Sequence, residues 1–178
     1  MMLLTPPPRR VTFEHESGHG VVVHAGGGTV DYVDLCSQTS GTTESRAHAV
    51  WRYPQGDQNL LVAGFAAGPA QTRITVDRLG LNPRYAEQSV ELEAKDFAEL
   101  LSEKSGNPPN VPGARALMDA SLPGVKGYLR NEAVQQAVQT IADALEQAEA
   151  DGRSGVDWSE LAALVAWDSL PPLPSPGY

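Results

Sequence analysis

The chain has 178 residues, enough for one domain to bury a core without disulfides or obligate partners. Its formal charge of −9 argues against a nucleic-acid or anionic-membrane binder, since both need clustered Lys and Arg. The single cysteine, Cys36, excludes an intramolecular disulfide framework and a thiolate zinc knuckle, and it favours a reducing, cytoplasmic setting.

Residues 1–10, MMLLTPPPRR, read as a flexible leader whose apolar part is too short for a signal-peptide core. Residues 12–26 suit a helix, with Thr12 as N-cap and the GGG at 26–28 as its stop. TVDYVDLCSQ, 29–38, is β-branched and aromatic and reads as a strand. RAHAVWRY, 46–53, reads as a second strand paired with it across a turn. Residues 57–72 form a buried helix whose last turn Pro69 should disturb, followed by an irregular stretch at 73–84. The longest apolar run, residues 60–70, is too short to span a bilayer, so no membrane span is expected.

Residues 89–103 are an amphipathic helix with Val90, Ala94, Phe97 and Leu101 on one face. A loop follows at 105–113, and SLPGVKG marks a turn within 114–130. Residues 131–150 form a long helix with Val134, Val138, Ile141 and Leu145 on its inner stripe. A short helix is expected at 156–167, and the tail at 171–178 is proline-rich. The order of helix, short sheet and several helices gives an α+β fold, mostly α. A core at 11–105 continues into a C-terminal helical part at 106–170 of the same domain.

His15-Glu16-Ser17-Gly18-His19 fits HExxH. On a helix, residues four apart lie one turn apart on one face, so His15 and His19 can converge on one zinc ion with Zn–N distances of about 2.0–2.1 Å. Glu16, beside the first histidine, is placed to take a proton from a water that zinc has acidified to a pKa of about 7. A catalytic zinc needs a third protein ligand. His24 lies about 140° around the helix from His19 and reads as a packing or surface residue, as does His48 on its strand. A carboxylate must serve instead, and Asp77, Glu93, Asp96 and Glu99 are the candidates. On the helix at 89–103, Glu93 falls nearer the apolar face and Asp96 at its border, and periodicity alone does not choose between them.

HESGHGVVV resembles the HEAGHAVV-type helix of the FtsH family, the zinc peptidase domain of membrane-bound AAA proteases. The resemblance continues in order. GTVDYVDLCSQTSGTTES is similar to the strand and glycine-bearing edge after that helix, and LLVAGFAAGPAQ to the LxGRxAEE helix. AKDFAELL is similar to the DLxxAT segment, and QAVQTIADALEQ with GVDWSEL to the C-terminal helices.

The resemblance implies that His15 and His19 are zinc ligands, that Glu16 is the catalytic base, and that Asp96 is the third ligand. It implies a zinc metallopeptidase with a zincin-like core, cleaving flexible polypeptides. The sequence departs from the family in lacking GxxxxGK[ST], in reading AAGPAQ where the family has an acidic pair, and in lacking the Gly-Ala before Asp96. The expectation is therefore a standalone peptidase domain in the cytoplasm, served by a separate ATPase or adaptor and able to form a homo-oligomer. Substrate is expected along the segment from Leu35 through Gly41 and Thr42, by strand addition, with Gly41 letting a backbone approach closely. The alternative is a peptidase-like binding or regulatory module with a structural metal or none.

Overall fold

The computed structural model describes residues 6–38, 45–54 and 56–175. Helix α1, Arg9–Ala25, begins directly after Pro8 and thus upstream of Thr12. The prolines at 6–8 stop it there, because proline cannot continue a helical hydrogen-bond ladder, and nothing between Arg9 and Thr12 breaks it. Gly27, at φ +83°, turns the chain into the sheet.

Strands β1, Thr29–Gln38, and β2, Ser45–Arg52, pair antiparallel as expected. A third strand, β3, Gly155–Asp157, pairs antiparallel with the other side of β1, where the sequence pointed to helix. The order is β2-β1-β3, so β1 is central and β2 is an edge. Val33 lies opposite both Ala49 and Val156.

Helix α2, Gln58–Leu79, runs straight through Pro69 and beyond the expected end at 72. Asp57 caps it by accepting the Leu60 N–H, and Gly80, in the left-handed region at φ +64°, ends it. Proline forfeits one backbone hydrogen bond, but fourteen buried residues along α2 hold the helix in place against its neighbours. Helix α3, Arg84–Ser105, extends the expected amphipathic helix toward its N-terminus. Helix α4, Val111–Leu129, replaces the turn expected at SLPGVKG. Its buried Ala114, Met118, Val125 and Leu129 keep helical spacing across Pro123 and outweigh that break. Helix α5, Glu132–Ala150, is capped by Asn131. The short α6, Trp158–Ala162, and a 3-10 turn at Trp167–Ser169 close the order.

The architecture is α+β, mostly helical. One apolar core, including Phe13, Val22, Val33, Ile141 and Leu145, lies among α1, the sheet, α2 and α5. A second, with Leu61, Phe97 and Met118, lies beneath α2, α3 and α4. No helix among the described residues is long and apolar enough to cross a membrane.

Candidate metal centre

Four faces of α1 have different tasks, and the helical repeat distributes them. Phe13 and Val21 to Val23 enter the core. Glu14 and Gly18 turn toward α2. His15 and His19, one turn apart, face the crevice between α2 and α3. Glu16 turns toward the edge strand β2.

The third member of the crevice is Glu93, from α3. His15 Nε2 lies 3.1 Å and His19 Nε2 3.4 Å from Glu93 Oε1, and the two Nε2 atoms are 3.0 Å apart. Ligands about 2.0–2.2 Å from a tetrahedral zinc stand about 3.3 Å from one another, so the three atoms have the spacing of three corners of such a site. His15, His19 and Glu93 form a group that could hold a metal ion, the one such group among the described residues.

The outer nitrogens are also committed. His19 Nδ1–H donates to the Gly64 carbonyl at 2.6 Å. A carbonyl only accepts, so Nδ1 carries the proton and Nε2 keeps its lone pair for the crevice. His15 Nδ1 meets Thr72 Oγ1 at 2.9 Å and Ser89 Oγ at 3.2 Å, with the same consequence when it donates. Gly68 of α2 lies against the Nε2 side of both rings. A Cβ there would stand 2.5 Å from His15 Nε2 and closer still to His19 Nε2. Three groups that turn lone pairs or charge toward one point need a shared cation. Burial alone would disfavour charge on His19, but the carboxylates of Glu93 and Glu16 and the Gly64 carbonyl outweigh it and raise its pKa to about 9. Burial pushes the Glu93 carboxyl up, and the two histidines more than offset this, so it stays well below the usual carboxylate range.

Glu16 is buried. Its Oε2 accepts the Ala49 N–H of β2 at 2.7 Å, and its Oε1 lies 4.0 Å from His15 Nε2. Glu16, His19 and Glu93 open on a cleft of about 1090 Å³ walled by β2 and α3. Trp51 stacks near His19, with ring centroids 6.3 Å apart, and Phe65 packs against Trp51. Carboxylates of α3, Asp96 and Glu99 among them, line the far side.

Where the FtsH resemblance implied Asp96, α3 brings Glu93, not Asp96, to the histidines. Asp96 is exposed on the cleft wall. It stands about 60° around α3 and about 4.5 Å along it from Glu93, on a side chain one methylene shorter. Ser89, one turn before Glu93, touches His15 and fixes which side of α3 faces α1. Asp77 is exposed near the end of α2 and outside the group.

Of the expected substrate segment only Leu35 lies among the described residues. Leu35 is buried on the central strand, its N–H bonded to Ser154 O and its carbonyl to Arg9, so it offers no free edge. Gly41 and Thr42 lie outside the described residues. The edge beside the centre is β2. His24 packs as expected: it accepts the Trp158 Nε1–H at 3.1 Å and lies 4.0 Å from the Trp167 ring. His48 is an exposed residue at the rim of the cleft.

Sequence reasoning missed the buried carboxylate of Glu14 and the residues of α2 that serve the centre, Gly64, Gly68 and Thr72. Gly64, Gly68 and Thr72 recur at four-residue spacing in sequence, and that was their one available signal. No protein-family model matches the chain, and no curated protein matches it.

Proposed function

We propose that this chain is a zinc-dependent metallopeptidase domain of the FtsH type, hydrolysing peptide bonds in flexible polypeptides. The observation that carries the reading is the convergence of His15 Nε2, His19 Nε2 and Glu93 Oε1 at tetrahedral-ligand spacing, with the Glu16 carboxylate beside them on an open cleft. Two imidazoles and a carboxylate suit zinc. When bound, zinc supplies a Lewis acid that polarises a scissile carbonyl and makes water acidic enough to be deprotonated near neutral pH.

The chain's own groups do the rest. Glu16 Oε1, the oxygen not held by Ala49, takes the proton of the attacking water and passes it to the leaving nitrogen. Gly64 and Thr72 hold the two rings in the tautomer that presents Nε2. The edge of β2 away from β1 accepts an extended substrate as an added strand, and the Ala49 N–H, now given to Glu16, is the donor it would share. Trp51 and Phe65 give the cleft an apolar wall. A separate ATPase or adaptor would deliver folded substrates.

One observation favours a second reading, a non-catalytic peptidase-like module: Glu16 is already engaged as a buried acceptor for β2. Zinc content and cleavage together separate the two. Purified wild type should hold near-stoichiometric zinc, Asp96→Ala should keep it, and Glu93→Ala should lose it. Glu16→Gln should keep zinc and lose peptide cleavage at least about a hundredfold, the usual worth of a positioned general base. Zinc retained in Glu93→Ala sinks the ligand set. Cleavage by Glu16→Gln at the wild-type rate sinks the base assignment, and zinc without cleavage in wild type leaves the module.

A further inference from the structure

We propose that Glu14, which touches no ligand atom of the centre, is its positioning residue: its buried carboxylate fixes the register of α1 on α2 and so sets Thr72 and Gly68 against the ligand histidines. The proposal rests on the metal-centre reading.

Glu14 is fully buried, yet its carboxylate collects donors from two helices. Oε1 accepts from Arg10 Nε at 2.6 Å and from Arg78, and Oε2 accepts from Thr75 Oγ1 at 2.6 Å and Gln71 Nε2 at 3.2 Å. The cluster reaches α5 as well. Gln135 Nε2 donates to Gln71 Oε1 at 2.7 Å, and Arg10 Nη1 pairs with Asp143 at 2.5 Å.

Apart from this cluster and the contacts of the two histidines with Gly64 and Thr72, the α1–α2 interface specifies register poorly. Gly18 approaches Ala67 and the stem of Gln71, and Gly68 approaches the imidazoles. Such small-residue surfaces pack closely, but sliding by one turn, about 5.4 Å, presents a similar surface. The carboxylate makes that slip costly, because it would leave Glu14 buried without at least one of Thr75 and Gln71. Glu14 precedes His15 directly on α1, and Gln71 precedes Thr72 directly on α2. The register that satisfies the first pair therefore delivers the second, with Thr72 Oγ1 2.9 Å from His15 Nδ1.

The test uses cobalt(II), whose visible absorption reports coordination geometry. Protein stripped of metal is titrated with cobalt(II) as wild type, as Glu14→Gln, and as Leu161→Ala, a core truncation on α6 that supplies a control for lost stability alone. Glu14→Gln should bind cobalt(II) about tenfold more weakly, with an altered visible band, as loss of a residue that orients ligands does. Leu161→Ala should keep the wild-type affinity and band despite a lower melting temperature. Wild-type affinity and spectrum in Glu14→Gln overturn the proposal. If Glu14→Gln does not fold, Thr75→Val, which removes one donor and keeps the carboxylate, carries the test: weaker binding supports the proposal and unchanged binding overturns it. Failure of the wild type to take up cobalt(II) overturns the metal-centre reading and the proposal with it, whereas uptake by all three proteins alike overturns the proposal alone.

Discussion

A methyl group at position 68 would occupy the space in front of both ligand nitrogens. Gly68 is thus required for vacancy rather than for backbone freedom, since it lies inside α2 where alanine is the better helix former by about 1 kcal/mol. Gly68→Ala should therefore fold, with the helix gain offsetting part of the steric cost, and should bind zinc at least about tenfold more weakly, as displaced ligands do. Circular dichroism and equilibrium dialysis on one sample separate the effects; unaltered zinc affinity would mean that the wall of the site lies elsewhere. At this scale the sequence was readable where the chemistry is local. His15, Glu16 and His19 occupy consecutive turns of one helix, and their relation follows from the helical repeat. Glu93 is 78 residues from His15, and only the packing of α3 joins them. Helical periodicity left Glu93 and Asp96 both open, and the family resemblance pointed to Asp96; only the packing of α3 brings Glu93 into the group.

Helices approach closely where a side chain is missing, and the same rule ties α6 to α1. A Cβ at Gly20 would strike the Trp158 ring, a rigid neighbour that cannot yield cheaply. Gly20→Ala should cost about 1–3 kcal/mol in urea unfolding, as overpacking does. Adding Trp158→Leu should recover part of that loss, so that the double variant is more stable than the sum of the singles predicts. Strict additivity would show that the two residues do not press on each other. The elements most legible in the sequence were those without conflicting signals, such as β1 and α5. Two of those misjudged, α2 and α4, contain prolines. Pro69 in α2 and Pro123 in α4 are local breakers, but both helices bury long apolar faces, and that tertiary gain decides. The short β3 had no sequence signature of its own; it is a strand because β1 offers it an edge.

Across the whole molecule the centre joins elements that the fold otherwise leaves apart. Helix α3 packs chiefly on α2 and α4, while α1 packs on α2, α5 and β2. His15 and His19 on one side and Glu93 on the other make the crevice a seam between these two groups, and a metal would close it from both sides. Across it His19 Nε2 and Glu93 Oε1 stand 3.4 Å apart. Metal bound only by the folded state should therefore raise stability by mass action, about 2.7 kcal/mol at a free concentration a hundredfold above its dissociation constant. For a chain of this size that corresponds to a rise in melting temperature of about 5–10 °C. Because the metal fastens α3 to α1, hydrogen exchange should slow most along α3, from Ser89 onward, rather than evenly across the fold. Glu93→Ala should melt at one temperature with or without zinc, whereas Asp96→Ala should show the full increment. If zinc binds yet leaves the melting temperature and the exchange of α3 unchanged, it sits somewhere other than this seam.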